Sequence, residues 1–213
     1  MAESYWNDGI HERIAVFDLY FRKMPFNSGY AVFNGLKRVV NFIENFGFTN
    51  EDITYLKSIG YEEDFLNYLK DLKFTGNIKS MQEGEICFGN EPLLRVEAPL
   101  IQAQLIETIL LNIINFQTLI ATKASRIRQI ATHDTLMEFG TRRAQEIDAA
   151  LWGARAAFIG GFDSTSNVRA GKLFNIPVSG THAHALVQTY GDEYIAFKKY
   201  AERHKNCVFL VDT

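Results

Sequence analysis

Asn175-Ile176-Pro177-Val178-Ser179-Gly180-Thr181-His182-Ala183-His184-Ala185-Leu186 is the stretch on which the reading of this chain turns. Asn175 to Val178 is a short apolar run of the kind that forms a buried strand. Ser179 to Leu186 reads as the C-terminal lip of that strand, where the chain turns into a helix. In α/β proteins that lip is where ligands bind and chemistry takes place. Gly180 lets the backbone approach a ligand closely. Thr181 brings a hydroxyl and an N–H to a helix start, where anions are favoured. His182 and His184 bring imidazoles able to act as base, nucleophile or metal ligand. A single such histidine is more often structural; two beside Gly-Thr at a strand end shift the reading toward function.

Around this stretch the pattern is regular. A strand near Leu136–Phe139 precedes a helix through Ile147, Ala150, Leu151 and Ala154. A strand at Ala157–Gly160 precedes a helix starting at Ser164. The strand at Ile176–Gly180 precedes helices over Ala185–Tyr190 and Glu193–Arg203, and Cys207–Asp212 reads as a closing strand. This β-α-β-α-β-α-β order predicts a parallel sheet or barrel. With no helix after Asp212-Thr213, the barrel is expected to be unfinished.

Upstream the character changes. Arg13–Tyr20 alternates like a strand, and Leu36, Val39, Val40, Ile43 and Phe46 have helical spacing. Thr49-Asn50-Glu51-Asp52 reads as a helix cap, and Glu62–Leu72 as another short helix. Residues 74–99 carry short runs, Glu85–Phe88 and Leu93–Glu97, punctuated by glycine and proline, which predicts antiparallel strands. Pro99 opens a long helix from about Ile101 to Ile130, whose apolar stripe is Leu105, Ile109, Ile113, Phe116 and Ile120. The expected class is α/β: an N-terminal α+β domain over residues 1–100, a connecting helix over 101–131, and over 132–213 the first strands and helices of an incomplete (β/α) barrel.

The chain has 213 residues, 47% of them hydrophobic, enough for one sizeable core or one domain and part of another. A net charge of −3 gives no general electrostatic footprint for nucleic acid or a membrane surface. Cys87 and Cys207 stand far apart without metal-type spacing, which points to a reducing compartment. The N-terminus shows no basic region followed by an apolar run. The apolar stretch Leu105–Ile120 is interrupted by Glu107, Thr108, Asn112, Asn115 and Gln117, so it reads as a buried helix rather than a membrane span. A cytoplasmic protein is the expectation, with neither nucleic acid nor membrane as partner.

Three linked motifs carry a family resemblance. Phe139-Gly140-Thr141-Arg142-Arg143-Ala144-Gln145, then Gly160-Gly161-Phe162-Asp163-Ser164-Thr165-Ser166-Asn167-Val168, then Gly180-Thr181-His182-Ala183-His184 resemble nicotinate phosphoribosyltransferase in order and spacing. Tyr20–Pro25 and Glu91–Pro99 resemble its N-terminal domain, so the likeness covers essentially the whole chain. The resemblance implies that nicotinate and phosphoribosyl pyrophosphate give nicotinate mononucleotide and pyrophosphate, driven by ATP hydrolysis through a phosphohistidine. It implies ATP, and Mg2+ with the pyrophosphate substrate. It also implies an α/β domain packed on an incomplete barrel, in a homodimer whose sites draw on both subunits. Family members begin with an Asp-Leu-Tyr-Gln segment whose tyrosine stacks on the pyridine ring, and they continue for roughly as many residues again. The chain therefore resembles the N-terminal half without its first element. By itself it is expected to be inert or nearly so, and to associate through the exposed Val208–Val211 edge.

By the same resemblance His184 matches the phosphohistidine, where an imidazole nitrogen attacks the γ-phosphate of ATP. Thr181, beside Gly180, matches the nicotinate contact and also suits a helix cap. Of Arg142 and Arg143 one faces the site, since adjacent residues at a strand end point apart, and a guanidinium fork suits carboxylate or phosphate. The alternative for either arginine is an ion pair with Glu138 or Asp163. Ser164, Thr165, Ser166 and Asn167 sit where a helix N-terminus would hold phosphate, or where a plain cap would. Asp212 and Thr213 end a strand on the same lip, placed to contact phosphoribosyl groups or Mg2+. His182 is as readily loop structure as function. Lys123, Arg126 and Arg128 complement the dipole of the long helix, and Trp152 belongs to the core.

Two other readings compete. His182-x-His184 on a strand places both rings on one face, as a Zn2+ hydrolase on an α/β barrel requires, although His133 and His204 are poorly placed to complete the ligand set. An inactive truncated product is the other. The sequence leaves the choice between nicotinate and nicotinamide open.

Overall fold

A computed structural model describes residues 1–212, so the lip contact expected at Thr213 lies outside the described residues. The elements run α1 (Ala2–Asn7), β1 (Ile14–Leu19), β2 (Ala31–Val32), α2 (Leu36–Glu44), α3 (Asn50–Ser58), α4 (Glu63–Asp71), β3 (Asn77–Ser80), β4 (Ile86–Cys87), β5 (Leu94–Pro99) and α5 (Leu100–Ile130). The second half runs β6 (Met137–Glu138), α6 (Glu146–Ile159), β7 (Ser164–Thr165), α7 (Val168–Phe174), α8 (His184–Tyr190) and α9 (Glu193–Arg203).

The first half is an antiparallel sheet of order β1-β5-β3 closed by helices. Alternation sets its inner face: Val96 and Leu94 of β5 are buried while Arg95 and Glu97 point out. On the outer face Arg95 reaches across to its register partner Asp18, with Nε 2.7 Å from Oδ1 and Nη2 2.8 Å from Oδ2. A single core runs from Ala31 to Ile114 and joins Phe33, Phe65, Leu69, Leu93 and Leu94 to the first turns of α5. The expected cap at Thr49 forms in full. Its hydroxyl accepts from the Asp52 N–H at 3.1 Å, and the Asp52 carboxylate accepts from the Thr49 N–H at 2.7 Å.

Helix α5 is long and apolar enough to cross a bilayer by length and composition. In this fold Ile101, Ile106, Leu110 and Ile114 are buried against the first-half core. Farther along, two of its threonines serve the short strand β2. Thr122 Oγ1 accepts from the Val32 N–H at 2.9 Å, and Thr118 Oγ1 from the Asn34 N–H at 3.1 Å. Arg128, expected only to complement the helix dipole, is a clamp. Its guanidinium donates to the carbonyls of Gly161 (2.7 Å), Ala131 (2.9 Å) and Asp134 (2.8 Å) and to Asp163 Oδ2 (2.5 Å).

The second half begins a parallel sheet. Met137 and Glu138 pair with Ser164 and Thr165, and Thr165 bridges in parallel to Val178. Four expectations fail here. The strand at Ile176–Gly180 is reduced to the single Thr165–Val178 bridge. Ala157–Gly160 is not a strand, because α6 continues to Ile159. Ala149, Ala150, Ala154, Ala156 and Ala157 favour helix, and their small side chains let α6 lie close to α5. No helix starts at Ser164. That residue belongs to β7, and α7 starts at Val168, where the Asn167 side chain accepts from the Ala170 N–H at 3.0 Å. The closing strand at Cys207–Asp212 is not formed; its partner-seeking edge is replaced by a coil that folds back over His182.

The α5–α6 contact is tight enough to test. A Cβ on Gly160 would sit 2.4 Å from the Ala121 carbonyl oxygen and 2.6 Å from Ala124 Cβ. Gly160→Ala should therefore lower stability by about 1–3 kcal/mol through overpacking, read as a fall in the urea midpoint at unchanged slope.

Candidate functional site

The parallel segments deliver their C-terminal ends to one cleft of about 750 Å³. Phe139, Thr141 and Arg142 reach it from β6 and the 3-10 turn Gly140–Arg143. Ser166, Asn167 and Val168 reach it from the end of β7 and the start of α7. Gly180, Thr181, His182, Ala183 and His184 close it, with Leu210 from the terminal coil. The cleft thus gathers Arg142, Ser166, Gly180, Thr181 and His184, residues up to 42 positions apart in the chain.

His184 is the first residue of α8 and is half-exposed; its Nε2 lies 3.2 Å from Asp212 Oδ1. A carboxylate on one ring nitrogen fixes the ring's orientation and tautomer and leaves the other nitrogen's lone pair free. The Thr181 hydroxyl donates to the His182 carbonyl at 2.9 Å. A Cβ at Gly180 would meet nothing within 4 Å, so the backbone there borders open space.

His182 is buried, with 7% of its surface exposed. Its Nε2 accepts from the Leu210 N–H at 3.0 Å and its Nδ1 lies 3.2 Å from the Ala183 carbonyl. Phe197, Tyr200 and Phe209 pack around the ring at centroid distances of 5.2, 5.3 and 6.2 Å. Both nitrogens are engaged by backbone, so His182-x-His184 does not present two free imidazoles to a Zn2+ ion. Among the described residues no group of three His, Cys, Asp or Glu gathers as metal ligands.

The two arginines part company. Arg142 lines the cleft, and Arg143 is not among the lining residues. The alternative, an ion pair of either arginine with Glu138 or Asp163, is not made. Glu138 accepts from Thr165 and from Gly140, and Asp163 accepts from Leu136 and Arg128. The Leu136 N–H and the Arg128 guanidinium hold the Asp163 carboxyl below its usual range. Ser166 lines the cleft as expected, but Ser164 does not: its Oγ is buried with no hydrogen-bond partner. Asn167, read from the sequence with its neighbours at a helix N-terminus, is both helix cap and cleft residue. Its place before an apolar helical run was the available signal.

A parallel α/β unit whose strand ends carry one arginine, several hydroxyls and a carboxylate-oriented imidazole defines a small-molecule cleft suited to anions. The comparisons with known proteins narrow that class. The family model described as the nicotinate phosphoribosyltransferase (NAPRTase) N-terminal domain matches residues 1–115. Nicotinate phosphoribosyltransferase of Bacillus subtilis (strain 168) is 67% identical over 214 residues, covering 100% of this chain and 44% of that protein. Nicotinate phosphoribosyltransferase 2 of Arabidopsis thaliana is 46% identical over 195 residues, covering 89% and 35%. The crystal structure of human nicotinic acid phosphoribosyltransferase superposes with a TM-score of 0.84 at 38% identity, over 89% of this chain and 39% of that one. The chain belongs to the nicotinate phosphoribosyltransferase family, and it spans less than half the length of the curated relatives it matches.

Proposed function

We propose that this chain supplies part of the catalytic centre of a nicotinate phosphoribosyltransferase. The complete protein would join nicotinate to phosphoribosyl pyrophosphate, giving nicotinate mononucleotide and pyrophosphate at the expense of ATP. The observation that carries this reading is the convergence of Arg142, Ser166, Thr181 and the Asp212-oriented His184 on one cleft.

Each residue then has a task. His184 donates its Nε2–H to Asp212 and attacks the γ-phosphorus of ATP with the Nδ1 lone pair. An N–P bond forms, the P–O bond to ADP breaks, and ADP leaves with the electron pair. Asp212 balances the positive charge that grows on the ring. Arg142 and Ser166 hold anionic oxygens of the phosphoribosyl substrate. Thr181, beside the open backbone of Gly180, meets the nicotinate carboxylate. Mg2+ enters with the pyrophosphate group as part of the substrate. Residues 132–212 are the opening of the family's barrel, and α5 connects them to the domain over 1–100. A homodimer in the cytoplasm, where ATP and phosphoribosyl pyrophosphate are made, belongs to the same reading.

The test is turnover. The complete protein, given nicotinate, phosphoribosyl pyrophosphate, ATP and Mg2+, should release nicotinate mononucleotide and pyrophosphate in equal amounts. No mononucleotide under these conditions would sink the proposal. Arg142→Ala should raise the KM for phosphoribosyl pyrophosphate about ten- to a hundredfold, the worth of one charged hydrogen-bond donor. Arg143→Ala should leave it nearly unchanged. A larger effect at Arg143 would reverse the assignment.

A further inference from the structure

We infer that Glu138 is the positioning residue of the cleft: one carboxylate that ties the Arg142 turn to the Ser166 strand end. The inference rests on the proposed reaction for its functional part only. Glu138 ends β6 and does not itself line the cleft. Its Oε1 accepts from the Gly140 N–H, and its Oε2 accepts from the Thr165 hydroxyl at 2.6 Å. Its own carbonyl accepts from the Ser166 N–H at 3.0 Å. Gly140 opens the 3-10 turn that carries Thr141 and Arg142 into the cleft, and Thr165 directly precedes Ser166.

The arrangement depends on residue type at every point. A Cβ on Gly140 would lie 2.7 Å from Glu138 Oε1, so the turn approaches the carboxylate only because residue 140 is glycine. Thr165 is fully buried, which aims its hydroxyl at Glu138 rather than at water. Two acceptor oxygens on one planar group face two donors from different segments, and β6 alone has too few ladder bonds to hold either. The cleft's arginine and serine therefore stand at a separation set by one side chain outside the cleft.

A carboxylate is not strictly required for this geometry. A carboxamide offers Oε1 to the Gly140 N–H and an N–H to the Thr165 oxygen, since a hydroxyl also accepts. Glu138→Gln should keep both tethers, and Glu138→Ala should lose both. In the complete protein, Glu138→Ala should lower kcat/KM for phosphoribosyl pyrophosphate by about a hundredfold, the scale of a 1 Å misplacement. Glu138→Gln should restore most of it. Amide hydrogen exchange supplies a readout independent of turnover. In Glu138→Ala the segments 139–143 and 164–167 should exchange faster while α4 and β5 keep their protection.

Unchanged exchange in both segments of Glu138→Ala would overturn the inference. So would local loosening with kcat/KM intact, which would leave the proposed reaction standing. Failure of Glu138→Gln to restore kcat/KM while restoring slow exchange would overturn positioning as the role. Absence of turnover in the unmutated protein would instead sink the proposed reaction, and the exchange comparison would still decide whether Glu138 holds the two segments.

Discussion

In the complete protein, His184→Ala should abolish the acid-labile phosphate taken up from γ-labelled ATP, and with it the ATP-driven gain in nicotinate affinity. A phosphoramidate on histidine is lost in acid, whereas a phosphoserine or phosphothreonine is not, so the label itself reports the residue class. Among the described residues alanine removes the only cleft imidazole with a free nitrogen, because His182 is held on both sides by backbone. Slow transfer without ATP should survive, since phosphoribosyl chemistry draws on positioning and electrostatics more than on this ring. His182→Ala should show the opposite pattern. It removes a buried ring and orphans the Leu210 N–H, which costs about 2–4 kcal/mol of stability, but the protein that remains folded should still take up label. Label on His184→Ala, with none on folded His182→Ala, would reverse the roles.

The second large effect lies away from the cleft, at Glu83 and Arg155. Their side chains are 16% and 13% exposed, 72 residues apart in the chain, and joined by Nη2–Oε2 at 2.7 Å and Nη1–Oε1 at 2.9 Å. Glu83 Oε1 also accepts from the Gly35 N–H at 2.9 Å. The pair fastens α6, on the second half, to the β3–β4 connection on the first. Glu83→Ala strands a buried guanidinium and should cost about 3–5 kcal/mol. Replacing both partners by apolar residues should cost less than the sum of the single changes, since neither charge is then left alone.

Acid supplies an independent check on this pair. Burial by itself would raise the Glu83 carboxyl, but the Arg155 hydrogen bonds and the Gly35 N–H outweigh it, and its pKa lies below the ordinary 4.5. A carboxyl depressed in the folded state stabilises above its unfolded value, and that stability is lost as pH falls through the folded one. The unmutated protein should therefore lose stability below about pH 4.5, and a Glu83→Gln variant should lose less over the same interval. Parallel acid profiles for the two would remove Glu83 from this role.

How much of this was legible in the sequence depended on whether the signal was local. The long helix after Pro99, the alternating strand at Ile14–Leu19 and the Thr49–Asp52 cap each write their structure in neighbouring residues, and each formed. The cleft residues Gly180, Thr181, His184 and Ser166 could be read because strand ends are where an α/β unit places its chemistry. Ala157–Gly160 was misread because Phe158 and Ile159 look like strand while the alanines before them carry a helix through. Ser164 lost the helix start to Asn167 because its own pairing with Met137, followed by that of Thr165 with Glu138, put it in a strand first. Arg128 and Glu138 were invisible as anchors for another reason. The partners that make them clamps, Gly161 and Asp163 for Arg128 and Thr165 for Glu138, lie 27 to 35 residues away, and no local pattern announces them.

The two threonine contacts on α5 have a geometric consequence of their own. Thr118 and Thr122 are four residues apart on a helix, a rise of about 6 Å. Asn34 and Val32, whose amides they receive, are two residues apart on an extended chain, a span of about 6.7 Å. A helical turn and a strand repeat thus act as matched combs, and the helix takes the place that a neighbouring strand would occupy. Sliding β2 by one residue would turn the wrong amides toward the hydroxyls, so the register of a two-residue strand is written on the face of a helix more than eighty positions downstream.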